Sequence, residues 1–261
     1  MASSAARRNR GSGEPIEEVD GTLSYWVRSR QPLEILVFLS PFIVLYEIGM
    51  VYLLRQDQGT LTNLAHELII RFMDIFGVNF LGLSLPAIIV VLVLLLWHVL
   101  TRASWTLDLR TCPLMFLESV VFVLPLLVAS RFIPQVLPMM AEGEELMSSL
   151  GSLEWIALSI GAGLYEELVF RMLVVFVVHT LLVDILKVTE GWALATAILV
   201  SAVLFTVYHP LEGVDGSRSM ARVGFYAFAG VWFGLVYVFR GFGIVVATHV
   251  FYDVAILLDG N

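Results

Sequence analysis

The chain has 261 residues, of which 59% are apolar and only 15% charged, and its mean hydropathy is +0.88. A soluble domain carries about 45–50% apolar and roughly 25% charged residues, so this chain lacks the polar surface to face water all round; an ordinary soluble enzyme and a disordered chain are excluded. Fifteen Lys and Arg against 23 Asp and Glu leave a net charge of −8 with no basic patch, which excludes nucleic acid as a partner, and the single Cys112 can form no internal disulfide.

Residues 1–30 form a polar tail in which Arg7, Arg8, Arg10, Arg28 and Arg30 mix with Glu14, Glu17, Glu18 and Asp20. No signal-peptide pattern is seen, and a short interfacial piece is expected around Tyr25 and Trp26. Seven apolar stretches follow, each of about the 20 residues that a spanning helix needs. They run over about 33–54 (with Pro41 and Glu47), 80–100, 113–133 (with Glu118), 153–183, 192–209, 222–239 and 242–258. None shows the period-2 alternation of a barrel strand, so helices are the expected spanning form. Leu61–Phe76 is amphipathic at helical spacing and is expected to lie at the interface or to add an eighth short segment.

The expected fold is therefore all-α, a polytopic transmembrane bundle of seven or eight spans. Its expected divisions are a polar cytoplasmic tail (1–30), N-terminal transmembrane helices (31–150) and a transmembrane core (151–258). With seven spans and the tail inside, nine Lys and Arg lie in inside segments and five in outside ones. The positive-inside rule then predicts a cytoplasmic N-terminus.

The fourth stretch reads Gly161-Ala-Gly-Leu-Tyr-Glu-Glu-Leu-Val-Phe-Arg171. One ionised residue at a helix centre costs about 2.5–3.5 kcal/mol on insertion scales, so three need compensation or a purpose. Glu167 and Arg171 are i, i+4 and can pair on one face, while Glu166, rotated by about 100°, is left to point elsewhere. The fifth stretch ends with Phe205-x-x-x-His209, and the seventh holds His249-x-x-x-Asp253, whose imidazole and carboxyl can orient one another. Each cluster alone is explained by helix–helix hydrogen bonding. Together they supply a carboxylate and an imidazole that can activate water or share a divalent metal, and a second imidazole for a developing oxyanion.

These three motifs, in this order and on apolar helices, resemble the CPBP family of intramembrane proteases: the CAAX proteases and bacteriocin-processing enzymes, also called the Abi family. The likeness covers about 150–258 and implies a helical intramembrane (metallo)endopeptidase. It implies that Glu166 and His209 activate the attacking water, that His249 and Asp253 stabilise the oxyanion, and that Glu167 and Arg171 support the site. If a divalent, zinc-like metal is bound, Glu166, His209 and His249 are its implied ligands; a metal-free, glutamate-activated water is the equal alternative. The implied substrates are membrane-associated peptides or proteins, prenylated CAAX-like ones among them. The implied setting is membrane lipid, with a bacterial cytoplasmic membrane as the expected location. The prenyl-protein branch typically has Asn where this chain has Asp253, and an ionised Asp donates no hydrogen bond.

Two other classes fit the same spans: a non-catalytic binding or immunity protein on this scaffold, and an ion-coupled transporter using the buried charges as a relay. Other protease patterns fail: His66-Glu67 begins H-E-x-x-H but position 70 is Ile, and no Gly-x-Ser-Gly occurs. Glu47 and Glu118 call for polar partners on neighbouring helices, Gly230-x-x-x-Gly234 reads as a packing seam, and His98 as an interfacial residue. One feature of this map is inconsistent. It puts His209 at an outer helix end and His249 about eight residues from the inner start of the last span, depths that disagree at 1.5 Å per residue.

Overall fold

The computed structural model describes residues 18–19, 22–55, 85–132, 152–212 and 217–259. The amphipathic Leu61–Phe76, the acidic run Glu142, Glu144 and Glu145, and most of the polar tail lie outside them. A short antiparallel ladder, β1 (Glu18–Val19) on β2 (Thr22–Leu23), precedes a bundle of helices. These are α1 (Tyr25–Arg28), α2 (Pro32–Arg55), α3 (Leu85–Leu100), α4 (Thr111–Phe132) and α5 (Ser152–Glu167). A π-helical segment (Leu168–Val174), α6 (Val175–Thr180) and a second π-helical segment (Leu181–Ile185) continue α5 as one rod. Then come α7 (Glu190–Tyr208), α8 (Met220–Arg240) and α9 (Phe242–Asp259).

All seven apolar stretches are thus helices. Among the described residues five are long and apolar enough to cross a membrane: α2, α4, the α5–α6 rod, α7 and α8. The apolar parts of α3 and α9, Ala87–Leu100 and Phe242–Ile256, are shorter. Helix α2 runs unbroken through Pro41. Large apolar side chains such as Leu92, Leu96, Leu117, Phe176 and Val203 point outward on these helices, as a lipid-facing surface requires.

Small residues set the helix spacing around the core. A Cβ at Gly163 of α5 would drive into the Val250 side chain and come within 3.0 Å of the Val246 carbonyl on α9. One at Gly230 would meet the Ala202 Cα at 2.9 Å, and one at Gly234 the Ile198 Cγ2 at 2.9 Å. The Gly-x-x-x-Gly pair of α8 is therefore spent on the internal seam with α7. Gly241, at φ +90°, turns α8 into α9 in a single residue, a conformation open to glycine and strained for other residues.

This geometry removes the depth conflict. The His209 ring stacks on Tyr226, with centroids 4.1 Å apart. Tyr226 lies six residues inside α8, so α7 ends about 9 Å below the start of α8 rather than level with it. From the other end, the one-residue turn lets α9 climb directly back alongside α8.

At the opposite end of α8, α1 is fastened by a polar cluster. Tyr25 donates to Glu118, and Arg240 donates to Glu118 Oε2 at 2.8 Å and to Ser29 Oγ at 3.2 Å. The Arg240 guanidinium lies 4.1 Å from the Trp26 ring centre. Burial, then the Glu118 carboxylate, pushes the Tyr25 phenol well above its ordinary range, so it stays a donor. Glu118 thus has the neighbouring-helix partner its position called for. Arg240 and Tyr226 are fourteen residues apart on α8, about 21 Å, so this clasp is separate from the histidine cluster. His98, in the last turn of α3, is buried, because the segment after α3 folds back and sets Trp105 edge-on to it at 4.3 Å.

Gly163→Ala is expected to destabilise the protein by about 1–3 kcal/mol, the range for overpacking a tight contact. A lowered thermal midpoint of the purified protein in detergent, with helical content retained, would measure it.

Candidate active site

The six polar residues singled out from the sequence come from the rod and two further helices, α7 and α9, and they meet in one place. The rod delivers three of them. Helix α5 changes to π geometry directly after Glu167, and the wide segment carries Arg171. Such π segments recur at functional sites because they re-aim side chains that an α-helix would point elsewhere. The carbonyl of Phe170 in this segment accepts a bond from Ser201 Oγ of α7 at 2.7 Å.

Glu167 and Arg171 are wholly buried and pair at 3.1 Å between Nε and Oε2. The guanidinium also donates to the Gly230 carbonyl at 3.2 Å. Its central carbon lies 4.2 Å from the ring centre of Phe205 and 5.3 Å from that of Phe233. A charge pair inside an apolar bundle persists only where further hydrogen bonds and polarisable faces offset its desolvation; here the backbone and two aromatic rings supply them.

The second oxygen of Glu167 holds a histidine. His249 Nδ1 is 2.7 Å from Glu167 Oε1. Asp253, one turn along α9, stands 3.7 Å from His249 Nε2, too far for a hydrogen bond. The orienting partner of His249 is thus Glu167 across the helix interface, not its i+4 neighbour Asp253. An α9 side chain at i+4 reaches the outer nitrogen, while the inner one faces α5.

His209 occupies the extended residue that ends α7, and its Nδ1 is 2.8 Å from the Phe205 carbonyl. A carbonyl only accepts, so Nδ1 carries the proton and the neutral ring presents a bare lone pair at Nε2. An ionised Glu167 imposes the same tautomer on neutral His249. Both Nε2 atoms face Glu166 Oε2, from 3.6 Å for His209 and 3.9 Å for His249. That oxygen is buried and has no hydrogen-bond partner among the described residues.

Glu166 Oε2, His209 Nε2, His249 Nε2 and Asp253 Oδ2 therefore form a ring of acceptors. Their spacings are too long for direct bonds and suited to a small donor between them. Side-chain exposure falls from 27% at Asp253 and 16% at His209 to 0% at Glu167 and Arg171. The site therefore opens past Asp253 and His209 and closes at the charge pair.

The donor chemistry of Glu166, His209 and His249 suits a divalent metal. Two ligands about 2.0–2.1 Å from a tetrahedral zinc lie roughly 3.3 Å apart, and the pairs here stand somewhat wider, at 3.6 and 3.9 Å. Among the described residues no group of three or more His, Cys, Asp or Glu side chains is arranged to hold a metal ion.

Four contributors had no assigned role in the sequence reading: Ser201, the Gly230 carbonyl, Tyr226 and Phe233. Ser201 had a usable signal, since it lies on the Phe205–His209 face at i−4 and is a lone hydroxyl among apolar neighbours.

Residues 148–255 match the family model for type II CAAX prenyl endopeptidases, Rce1-like. Compared with curated proteins and with solved structures, the chain gives no match.

Arg171→Ala should cost about 3–5 kcal/mol of stability, because it leaves the Glu167 carboxylate buried without its cation. Arg171→Ala with Glu167→Gln should recover part of that loss. A double-mutant comparison of thermal midpoints in detergent would check both.

Proposed function

We propose that this protein is an intramembrane endopeptidase of the CAAX prenyl endopeptidase type, whose family model residues 148–255 match, and that it hydrolyses peptide bonds with a water activated by Glu166 and His209. The observation that carries the proposal is the buried Glu166 Oε2, facing two imidazole nitrogens at 3.6 and 3.9 Å with no hydrogen bond of its own among the described residues. We assign residues 151–258 as the catalytic core, 31–150 as the supporting helices and 1–30 as a tail on the cytoplasmic side of a bacterial membrane.

A water between Glu166 and His209 donates its two hydrogens to Oε2 and to the His209 lone pair. As its oxygen attacks the scissile carbonyl carbon, Glu166 takes one proton, and the carbonyl oxygen becomes an oxyanion. His249 answers that charge. For this His249 first takes up a proton from water at Nε2; in that doubly protonated form its Nδ1–H donates to Glu167 and its Nε2–H to the oxyanion. The C–N bond then breaks, and the proton held by Glu166 passes to the leaving amine. Asp253, at the mouth, accepts from substrate N–H groups. Glu167 and Arg171 touch no reacting atom and keep His249 in place. No step runs through a metal ion.

The substrate class is a membrane-associated peptide or protein that reaches the site past Asp253 and His209. Prenylated CAAX-like peptides are the leading case. A matched pair of peptides, with and without the lipid, would measure how far the lipid contributes.

Glu166→Gln keeps the shape and loses the base. It should lower cleavage by about 10²–10⁴-fold, the usual contribution of a positioned general base, with the melting profile unchanged. A terminal-peptide comparison of host cells carrying wild type or Glu166→Gln at equal expression would name the substrates. Wild-type cleavage by the variant would overturn the mechanism. A variant that still complements a deletion phenotype, with no difference in peptide ends, would instead favour a binding scaffold. Lost ion flux with no difference in peptide ends would favour a transporter.

Exhaustive dialysis against a chelator should leave cleavage unchanged. Activity lost on dialysis and restored by zinc would show that the side chains close around a metal after all.

A further inference from the structure

Two imidazoles reach Glu166 from different helices, and among the described residues each has a single hydrogen bond holding it. For His209 this is the bond from Nδ1 to the Phe205 carbonyl, and for His249 that from Nδ1 to Glu167. A ring tied at one atom can still tilt about that atom, and the outer torsion of a histidine is broad rather than locked into a narrow well. A tilt swings Nε2, which lies across the ring, away from Glu166.

Helix α8 supplies what the hydrogen bonds do not. The Tyr226 ring lies against His209 with centroids 4.1 Å apart and planes 28° apart. The Phe233 ring lies against His249 at 4.6 Å and 19°. These are face contacts, unlike most ring pairs in the core, which meet edge-on. Tyr226 and Phe233 are seven residues apart, two turns of helix, so they share one face of α8 about 10 Å apart along its axis. That offset suits a His209 at the end of α7 and a His249 in the second turn of α9. Phe233 also stands 5.3 Å from the Arg171 guanidinium, and Phe205 is 4.2 Å from it and 4.3 Å from the His209 ring. Neither Tyr226 nor Phe233 belongs to any of the three polar motifs.

We infer that α8 is an aromatic rail: Tyr226 and Phe233 are positioning residues that fix the ring planes of His209 and His249, so that both Nε2 atoms bear on Glu166. The effect on rate rests on the endopeptidase reading above; the ring geometry does not. The positioning role is assigned to the flat face of Tyr226, which stacks on the imidazole.

The test uses the full-length protein in lipid bilayers with isotope-labelled histidine. In wild type the His209 and His249 ring resonances should be shifted by the currents of their stacked neighbours. Tyr226→Leu should reduce the shift at His209 alone, leaving the part due to Phe205, Phe233→Leu should reduce that at His249 alone, and Tyr226→Phe should keep it. On a cleavable peptide each Leu variant should lose about tenfold in kcat with KM little changed, the order that one aromatic pair is worth. Tyr226→Phe should restore the rate, and the pH profile should move in the Leu variants only. Histidine resonances unmoved by the Leu changes, or Leu variants that cleave at the wild-type rate, would overturn the inference. So would a Tyr226→Phe loss as large as that of Tyr226→Leu, since the hydroxyl would then be the working part. If wild type cleaves nothing, the endopeptidase reading fails, and the resonances alone still decide whether the rail holds the rings.

Discussion

The buried carboxylate of Glu167 ties the site together. One oxygen pairs with Arg171 on its own helix at 3.1 Å, and the other faces Nδ1 of His249 on α9 at 2.7 Å. An ionised group with no exposure cannot be solvated, so it must be satisfied by protein on both sides. That requirement fixes the rotation of α5 and the register of α9 against it. It fixes the tautomer of His249, and it draws Arg171 inward to where Gly230, Phe205 and Phe233 receive it. Once Glu167 is occupied in this way, Glu166, a third of a turn away, has to face the other direction. There it finds the outer nitrogens of two imidazoles.

The packing around this pair is made of small residues and flat rings, and each has a reason. Gly163 lets α9 come close enough for His249 to reach Glu167; Gly230 and Gly234 let α8 close on α7. The π-helical turn displaces the residues after Glu167, and Ser201 bonds to the Phe170 carbonyl within it. Aromatic rings fill the space between the helices because they can face a guanidinium or an imidazole without needing hydrogen bonds themselves. The result is a dry floor of charge and aromatics beneath a rim, Asp253 and His209, that remains open.

A second cluster, Glu118 with Arg240, Tyr25 and Ser29, shows why buried charge alone does not identify a site. It is as polar as the histidine cluster, yet both oxygens of its carboxylate are bonded by Arg240 and Tyr25, and it clasps α1 to the bundle. The histidine cluster differs because several acceptors converge and Glu166 Oε2 is left over. From the chain alone Glu118 and Glu166 are each an acidic residue in an apolar stretch, Glu166 set apart by the Glu167–Arg171 pair beside it. The tertiary structure adds what stands opposite each, Arg240 for Glu118 and two imidazoles for Glu166.

The linear chain by itself determined the seven apolar helices, since a run of about 20 apolar residues has few other fates. It also determined the pairing of Glu167 with Arg171 and the outward turn of Glu166, because i, i+4 spacing and a 100° step are properties of any helix. The partner of His249 was not legible. Local spacing offers Asp253, but the choice of Glu167 depends on which face of α9 meets α5, and a glycine contact between distant residues sets that. The depth of His209 was hidden for the same reason: it depends on α7 ending a turn and a half inside α8, which only the packing of helices of unequal length decides. The π turn, the Ser201 bond and the stacking of Tyr226 and Phe233 belong to the tertiary structure as well. Each is a contact between residues far apart in the chain, and its energy exists only once the helices have closed on one another.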